Sequence, residues 1–401
     1  MIFTLEALKA AYGDALLLHY GTAAAPGLVL IDGGPRGIYT NVVKRRLDQL
    51  RQNPARLRNG SLPIRMVMVS HIDDDHINGI LELAKEIDEA HGPKPYAVQS
   101  LWHNSFDDIV GNQARELAAS LQPFLGTVAT TGELPPGAPL THSHAGLVVA
   151  SVGQGRELRD RAHKLGWDIN PEFGGKLLRL PQAGARSVAI ADGLTFTVLG
   201  PTEKEVENLN TEWDKTLKAG KEKVDPAKAA AYADDSVFNL SSVIVLAEAA
   251  TAAGPRRMLL TGDARGDRII QGLQQAGQIR NGVCRVDVLK LPHHGSERNL
   301  ELDFFKTVVA DHYVISCNGE KFDNPDQNTL DWLVAARKGT PPFTVYLTYP
   351  PAEFKFKKRT RIQKEIQAFI DAGRKSGAYK VVCRDPAALS VRIDLGEPLK
   401  G

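Results

Sequence analysis

Residues 71–76 read His71-Ile72-Asp73-Asp74-Asp75-His76, two imidazoles and three carboxylates within six positions. Such groups are rarely left together in a folded chain unless they are paired or hold a cation. The residues before them, Arg65-Met66-Val67-Met68-Val69-Ser70, have the composition of a buried strand. A strand delivering polar groups at its C-terminal end is a common way for an α/β protein to build a site. On an extended turn His71 and Asp73 would point one way, Asp75 would follow at the next alternate position, and His76 would turn back from the other side. Four ligands from one short loop can then reach two adjacent metal ions. The competing reading is a solvated acidic loop with two incidental histidines, and the rest of the chain argues against it.

Three further segments repeat the pattern of an apolar run abutting polar groups. Residues 242–247 follow Asn239, Ser241 and Ser242; residues 257–261 lead to Asp263; residues 286–291 lead to His293-His294-Gly295. If these strands and 65–70 share sheet edges, the ligand set is His71, Asp73, Asp75, His76, Asp263 and His294. Imidazoles with a carboxylate able to bridge make the natural composition of a two-metal site.

The elements around them follow from periodicity and punctuation. Strands are expected at 2–8, 14–20 and 28–32, the last ending in Asp32-Gly33-Gly34, where glycine permits close backbone approach. Helices are expected at 38–51 and 77–90, the second with Ile77, Ile80, Leu81, Leu83, Ala84 and Ile87 on one stripe. Residues 53–62 read as a polar loop. Within 91–190 the pattern predicts a strand at 96–102, helices at 108–124 and 152–165, and a Pro/Gly-rich loop at 132–139. That region reads as a helical insertion capping the site. Strand 194–199, a charged excursion at 202–235 and a strand at 311–319 come next. Residues 378–384 and 389–394 suggest a β-hairpin around Asp385-Pro386. Residues 1–340 thus read as one catalytic domain, and 341–401 as a small C-terminal extension, a basic helix and hairpin completing the sheet.

The 401 residues are 43% hydrophobic and 24% charged, with a formal net charge of +2, which singles out neither nucleic acid nor membrane as a partner. Three scattered cysteines, an odd number without a CxxC pair, predict a reducing compartment. The first residues lack signal-peptide character, and no apolar run is long enough to span a bilayer. The expectation is a cytoplasmic protein without membrane contact.

Taken together, the motifs resemble the metallo-β-lactamase superfamily. They are most similar to the soluble domain of its competence-protein (ComEC/Rec2) branch, which reads His-x-Asp-x-Asp-His, Thr-Gly-Asp and Lys-x-x-His-His-Gly-Ser. Here those are His71–His76, Thr261-Gly262-Asp263 and Lys290-Leu291-Pro292-His293-His294-Gly295-Ser296, with Gly13-Asp14-Ala15 and Ile31-Asp32-Gly33-Gly34 at the start. The resemblance implies an α/β fold, an αββα sandwich with metals at the sheet edges, binding two divalent ions, Zn²⁺ or Mn²⁺. One site would hold His71, Asp73, bridging Asp263 and, as a further candidate ligand, Asn239; the other would hold Asp75, His76, Asp263 and His294. Asn239 stands where the family carries a third ligand histidine, which leaves one-ion occupancy open. Asn324 stands where the branch often has histidine before proline.

A metal-activated water attacking carbonyl carbon or phosphorus is the implied chemistry. Asp75 would orient or deprotonate the water, and His293 would donate a proton or bind substrate. Lys290, Ser296 and His103 are candidate substrate contacts, with a solvated strand residue as the other reading of Lys290. Asp14 and Asp32 fit either orientation of ligand histidines or turn chemistry. His142 and His144 read as loop histidines. The run Phe354-Lys355-Phe356-Lys357-Lys358-Arg359 interleaves aromatic and basic residues, as single-strand binders do, although one solvated basic face is the commoner meaning. The leading expectation is a phosphodiesterase or nuclease acting on nucleic acid or another phosphodiester. The alternatives are a small-molecule hydrolase of lactones, thioesters or amides, and a metal-binding regulatory module of low turnover.

Overall fold

A computed structural model describes residues 1–105, 143–191, 193–207, 242–355 and 361–399. Two mixed sheets face one another. The first has strands β1 (Ile2–Leu8), β2 (Leu16–Gly21), β3 (Pro26–Ile31), β4 (Leu62–Met68), β5 (Tyr96–Trp102) and β6 (Asp168–Ile169), in the order β15-β1-β2-β3-β4-β5-β6. The second has β7 (Ser187–Ala191), β8 (Leu194–Gly200), β9 (Ile244–Thr251), β10 (Gly254–Leu260), β11 (Cys284–Lys290), β12 (Val308–Ile315), β13 (Phe343–Leu347) and β14 (Tyr379–Cys383), in the order β14-β13-β12-β11-β10-β9-β8-β7. Strand β15 (Ser390–Asp394) closes the first sheet against β1.

Period-two alternation sorts the side chains. Phe3, Leu5 and Ala7 of β1 face Val245, Met258, Leu260 and Val288 of the opposite sheet in a core between the sheets. The outer face of the first sheet is covered by α1 (Lys44–Arg51), α2 (Asp74–Glu89) and α3 (Ser143–Leu165), through Leu47, Leu50, Ile80, Leu83, Ile87 and Leu158. The outer face of the second is covered by α4 (Gly266–Gln275), α5 (Leu302–Thr307), α6 (Gln327–Ala336) and α7 (Ile362–Ser376), through Ile269, Leu273, Phe305, Leu330, Ile366 and Phe369. The layers are therefore helix, sheet, sheet, helix, the expected αββα sandwich. Each fully buried aliphatic side chain in these cores contributes about 1.5–3 kcal/mol.

Two expectations are corrected. The strands near 378–384 and 389–394 do not pair as a hairpin: β14 runs parallel to β13 in one sheet and β15 antiparallel to β1 in the other. Arg384, buried between them, explains the crossing. Its Nε donates to the Thr348 carbonyl at 2.7 Å, and Nη1 donates to the Pro386 and Ala388 carbonyls at 3.0 and 2.8 Å. Its Nη2 also pairs with Glu353. The C-terminal residues thus finish both sheets rather than one. Second, α2 begins at Asp74, not at 77, because Asp73 takes the N-cap position with φ −65° and ψ 148°. Asp75 and His76 therefore lie in the first helical turn, not on an extended loop. Of the segment 91–190, β5 and β6 belong to the first sheet and β7 to the second. The expected elements at 108–124 and 132–139, most of the 202–235 excursion, Asn239 and His142 lie outside the described residues. Among the described residues no helix is long and apolar enough to cross a membrane.

Candidate metal centre

Parallel pairing of β3 with β4, and of β10 with β11 and β12, carries the C-terminal ends of these strands to one edge of the sandwich. The two sheets are joined there. The Val243 amide donates to the Ser70 carbonyl at 2.7 Å, and a Cβ on Gly262 would lie 2.9 Å from the Ser70 side chain. Asp32, Ser70 and His71 come from the first sheet, and Asp263, His293 and His294 from the second. Glycine permits the closest approaches. A Cβ on Gly79 would sit 2.0 Å from the Gly33 carbonyl oxygen, and one on Gly13 at 2.0 Å from that of Asp75. The glycine closing the His71–Gly79 stretch thereby lets α2 lie against the turn after β3.

His71, Asp75, His76, Asp263 and His294 are all buried. Asp263 is the common neighbour of four imidazoles. Its Oδ1 lies 3.4 Å from His76 Nε2, and its Oδ2 lies 3.8 Å from His71 Nε2, 3.7 Å from His293 Nε2 and 3.5 Å from His294 Nε2. His71 Nε2 also faces Asp73 Oδ2 at 3.5 Å, and His294 Nε2 faces Asp75 Oδ2 at 3.6 Å. Asp73 makes no side-chain cap bond to α2, which leaves its carboxylate directed to His71.

The hydrogen bonds on the far side of each ring set its tautomer. His76 Nδ1 donates to Asp32 Oδ2 at 2.9 Å, and His294 Nδ1 donates to the Ser316 carbonyl at 2.8 Å. Ser70 Oγ donates to Asp32 Oδ2 at 2.7 Å, so it accepts from His71 Nδ1 at 3.1 Å. Asn299 Nδ2 donates to the Asp263 carbonyl at 3.1 Å, which turns its Oδ1 to His293 Nδ1 at 2.7 Å. Every Nε2 therefore presents a lone pair to carboxylate oxygens. Nε2 of His71, His76 and His294, and Oδ1 of Asp263, are buried without a hydrogen-bond partner. Acceptors facing acceptors across 3.4–3.8 Å are stable only with positive charge between them. The same field acts on the protons. Burial opposes charge on His76, yet Asp263 and Asp32 hold its pKa well above the usual imidazole value; His294 is raised likewise, against its own burial, by Asp263 and Asp14. Asp263 is also buried, and His294, His76 and His293 keep its pKa well below the carboxylate range. The donor set fits divalent cations, which would replace those protons.

Asp14, His76, Asp263 and His294 bring ligand atoms within 4.8 Å of one another. Asp14 nevertheless stands on the Nδ1 side of the rings, 3.5 Å from His294 Nδ1 and 4.0 Å from His76 Nδ1. Of the two readings open for these aspartates, the orienting one describes Asp32, which bonds His76 Nδ1, whereas Asp14 pairs with the Lys290 ammonium. Lys290 needs correction. It is 1% exposed and its ammonium pairs with Asp14, so it is a buried counter-ion beneath the site and not a substrate contact. Ser296 is also buried, with its Oγ accepting from the Arg298 amide at 3.4 Å. His103 is buried at the end of β5; a Cβ on Gly155 would lie 3.6 Å from its Nε2, and burial pushes its pKa down to about 4. His293 lies beside the same carboxylate, its Nε2 3.7 Å from Asp263 Oδ2. It and His294 both take left-handed backbone, φ 47° and 57°, which turns two consecutive rings to Asp263 where a strand would send them to opposite faces. Phe354, the first of the interleaved aromatic and basic residues, packs in the core beneath α7, and Lys355 pairs with Glu320 at 2.9 Å. Residues 356–360 lie outside the described residues. Asn299 and Ser316 were not legible beforehand, since a loop amide and a backbone carbonyl carry no sequence signal.

Residues 26–156 match the family model of the Metallo-beta-lactamase superfamily. The match marks that stretch as similar to the superfamily. It spans Asp32 and the whole His71–His76 cluster, and members of the superfamily are generally hydrolases. Among solved structures the chain is similar to a metal-dependent hydrolase of the beta-lactamase superfamily, at 11% identity and TM-score 0.37, covering 98% of this chain and 100% of that one. It is also similar to a beta-lactamase domain protein from Burkholderia ambifaria, at 16% identity and TM-score 0.27, covering 91% and 68%. None of the curated proteins matches it.

Proposed function

We propose that this protein is a metal-dependent phosphodiesterase of nuclease type, related to the competence-protein branch of the superfamily. The observation that carries the hydrolase part is the convergence of four Nε2 lone pairs on one buried carboxylate, Asp263. His71, Asp73 and Asp263 would hold one ion, and Asp75, His76, Asp263 and His294 a second. Bound there, two divalent cations would supply Lewis acidity and a water of lowered pKa. The oxygen-rich donor set suits Mn²⁺ as well as Zn²⁺. Asp75, kept ionised despite burial by His294 and His76, accepts the proton of the attacking water. His293, 22% exposed in its side chain and oriented by Asn299, is the group able to meet substrate and return a proton to the leaving oxygen. Lys290 balances the negative charge of Asp14 below the site.

Phosphoryl rather than acyl chemistry is favoured by the motifs shared with the competence branch and by the basic segment after Phe354. Turnover of bis(p-nitrophenyl) phosphate that depends on added Mn²⁺ or Zn²⁺, and that His76→Ala and Asp263→Ala abolish together with metal binding, is the expected result. Retained activity in either variant would remove the two-ion assignment. The alternative reading is hydrolysis of a lactone, thioester or amide by the same centre. Two ions without phosphodiester turnover would favour it. No bound ion and no turnover would favour a regulatory module.

A further inference from the structure

Two loops meet at the edge of the metal centre, and both are tied to it. The first, between β1 and β2, contains Tyr12 and Gly13; the Asp14 amide donates to the Asp75 carbonyl at 3.2 Å, with Gly13 packed on the Asp75 backbone. The second follows β12. Its Ser316 carbonyl accepts from His294 Nδ1 at 2.8 Å, while Ser316 Oγ donates to the Gly13 carbonyl at 3.0 Å. Where the loops converge, Tyr12 and Phe322 meet edge to face with ring centroids 6.5 Å apart. The Lys321 ammonium lies 4.9 Å from the centre of the Tyr12 ring and 5.0 Å from that of Phe322. Phe322 is 40% exposed, the one large hydrophobic residue so exposed among the described residues. An aromatic side chain left in water beside a buried polar centre leaves apolar surface uncovered unless something covers it.

We propose that Tyr12, Lys321 and Phe322 form a substrate subsite that stacks a planar nucleobase on Phe322 and sets the Lys321 cation on the adjoining phosphate. The inference rests on the phosphodiester reading and narrows it to nucleotide esters. Stacking needs an exposed ring held rigidly, and Lys321, seated between two rings, fixes that pair. The phosphate needs a cation within reach of the metal centre that the centre's own carboxylates have not consumed. Lys290 is spent on Asp14, and Lys355 on Glu320, whereas the Lys321 ammonium lies against aromatic rings. The neighbourhood also joins the basic segment. The Lys355 amide donates to the Asn318 carbonyl at 2.7 Å, and Lys355 Nζ reaches Glu320 at 2.9 Å, so Lys355 is fastened to this loop.

The test compares thymidine 5′-monophosphate with 2-deoxyribose 5-phosphate, which keeps the sugar and phosphate and lacks the base. Binding of each to the metal-loaded full chain is measured by calorimetry. The wild type is expected to bind the nucleotide about tenfold tighter. Phe322→Ala should erase that preference and leave the sugar phosphate unchanged, and Phe322→Tyr should keep it. Lys321→Gln should weaken both ligands alike. Equal affinity of the two ligands for the wild type, no measurable binding of either, or a preference that survives Phe322→Ala would overturn the proposal. Bis(p-nitrophenyl) phosphate turnover by the same preparation separates the two ideas. Turnover without base preference removes only the subsite, and base preference without turnover removes only the hydrolase.

Discussion

Replacing Asp32 by Asn leaves the number of heavy atoms in its side chain unchanged and yet should disable two ligands at once. Asp32 Oδ1 accepts from the Ser70 amide at 2.7 Å, and Oδ2 accepts from Ser70 Oγ at 2.7 Å and from His76 Nδ1 at 2.9 Å. The backbone donor cannot turn, so the introduced amide must keep its oxygen there and place Nδ2 where Oδ2 was. Nδ2 is a donor, and His76 can answer it only with a lone pair on Nδ1. Its proton then moves to Nε2, 3.4 Å from Asp263 Oδ1, in the direction of the cation. The Ser70 hydroxyl, now accepting from the introduced amide, turns its hydrogen to His71 Nδ1 at 3.1 Å and inverts that tautomer as well. Loss of one such supporting partner typically costs 10–100-fold in metal affinity. With two histidines affected, about 100-fold, or about 2.7 kcal/mol, is expected. The left-handed backbone at Asp32, φ 57°, is one that Asn tolerates, so the metal-free protein should keep its thermal midpoint. Competition against a metallochromic chelator gives the affinity, and a thermal melt of the stripped protein gives the control. An affinity within twofold of wild type would refute the tautomer argument, and so the account of how the sheet edge prepares its histidines.

Two further outcomes follow from parts of the fold away from the ligands. Gly79→Ala should destabilise the protein by about 1–3 kcal/mol in urea denaturation, because the new Cβ meets the Gly33 carbonyl at 2.0 Å and backbone must move. A null effect would mean that the docking of α2 on the β3 turn is looser than described. Glu6, buried on the outer face of the first sheet, bonds His19 Nε2 at 2.9 Å and Arg46 Nε at 2.7 Å. Burial opposes its charge, but His19 and Arg46 outweigh it and lower its pKa from 4.5 to about 2. The carboxylate therefore contributes its stability above pH 4.5, and loses it as the pH falls toward 2. The full contribution is about 3 kcal/mol. The stability gap between wild type and Glu6→Gln should shrink across that window, and a gap that stays constant from about pH 6 to about pH 3 would contradict the assignment.

The ligand stretch was legible because its residue types defeat any packing explanation. Two histidines and three aspartates at a strand end leave few roles besides binding a cation. The layers were legible from periodicity, since α2 shows its apolar stripe and β1 its alternation. What was not legible depended on partners distant in sequence. Asp32 reads equally as a turn residue or an orienter, and only its bond to His76 Nδ1, 44 positions away, decides between them. Lys290 shares the inward parity of Val288, but only the fold shows that Asp14 waits at that level. Strand propensity found β14 and β15 without telling which edge each would join, a choice tied to the buried hydrogen bonds of Arg384. The alternation of Phe354 with lysines does not reveal that Phe354 serves the core. That the rings of His293 and His294 reach the same carboxylate was not legible either, since regular backbone would separate them and left-handed backbone unites them.

The central claim, that Asp263 and the surrounding Nε2 atoms form a cation site, is tested most directly by elemental analysis of the purified chain after equilibration with Zn²⁺ and, separately, with Mn²⁺. Asp263→Ala should be carried through the same procedure. The account predicts close to two ions per wild-type chain with at least one of the metals, and almost none in the variant. A wild-type chain that retains neither metal, or an Asp263→Ala chain that retains as much as wild type, would contradict it.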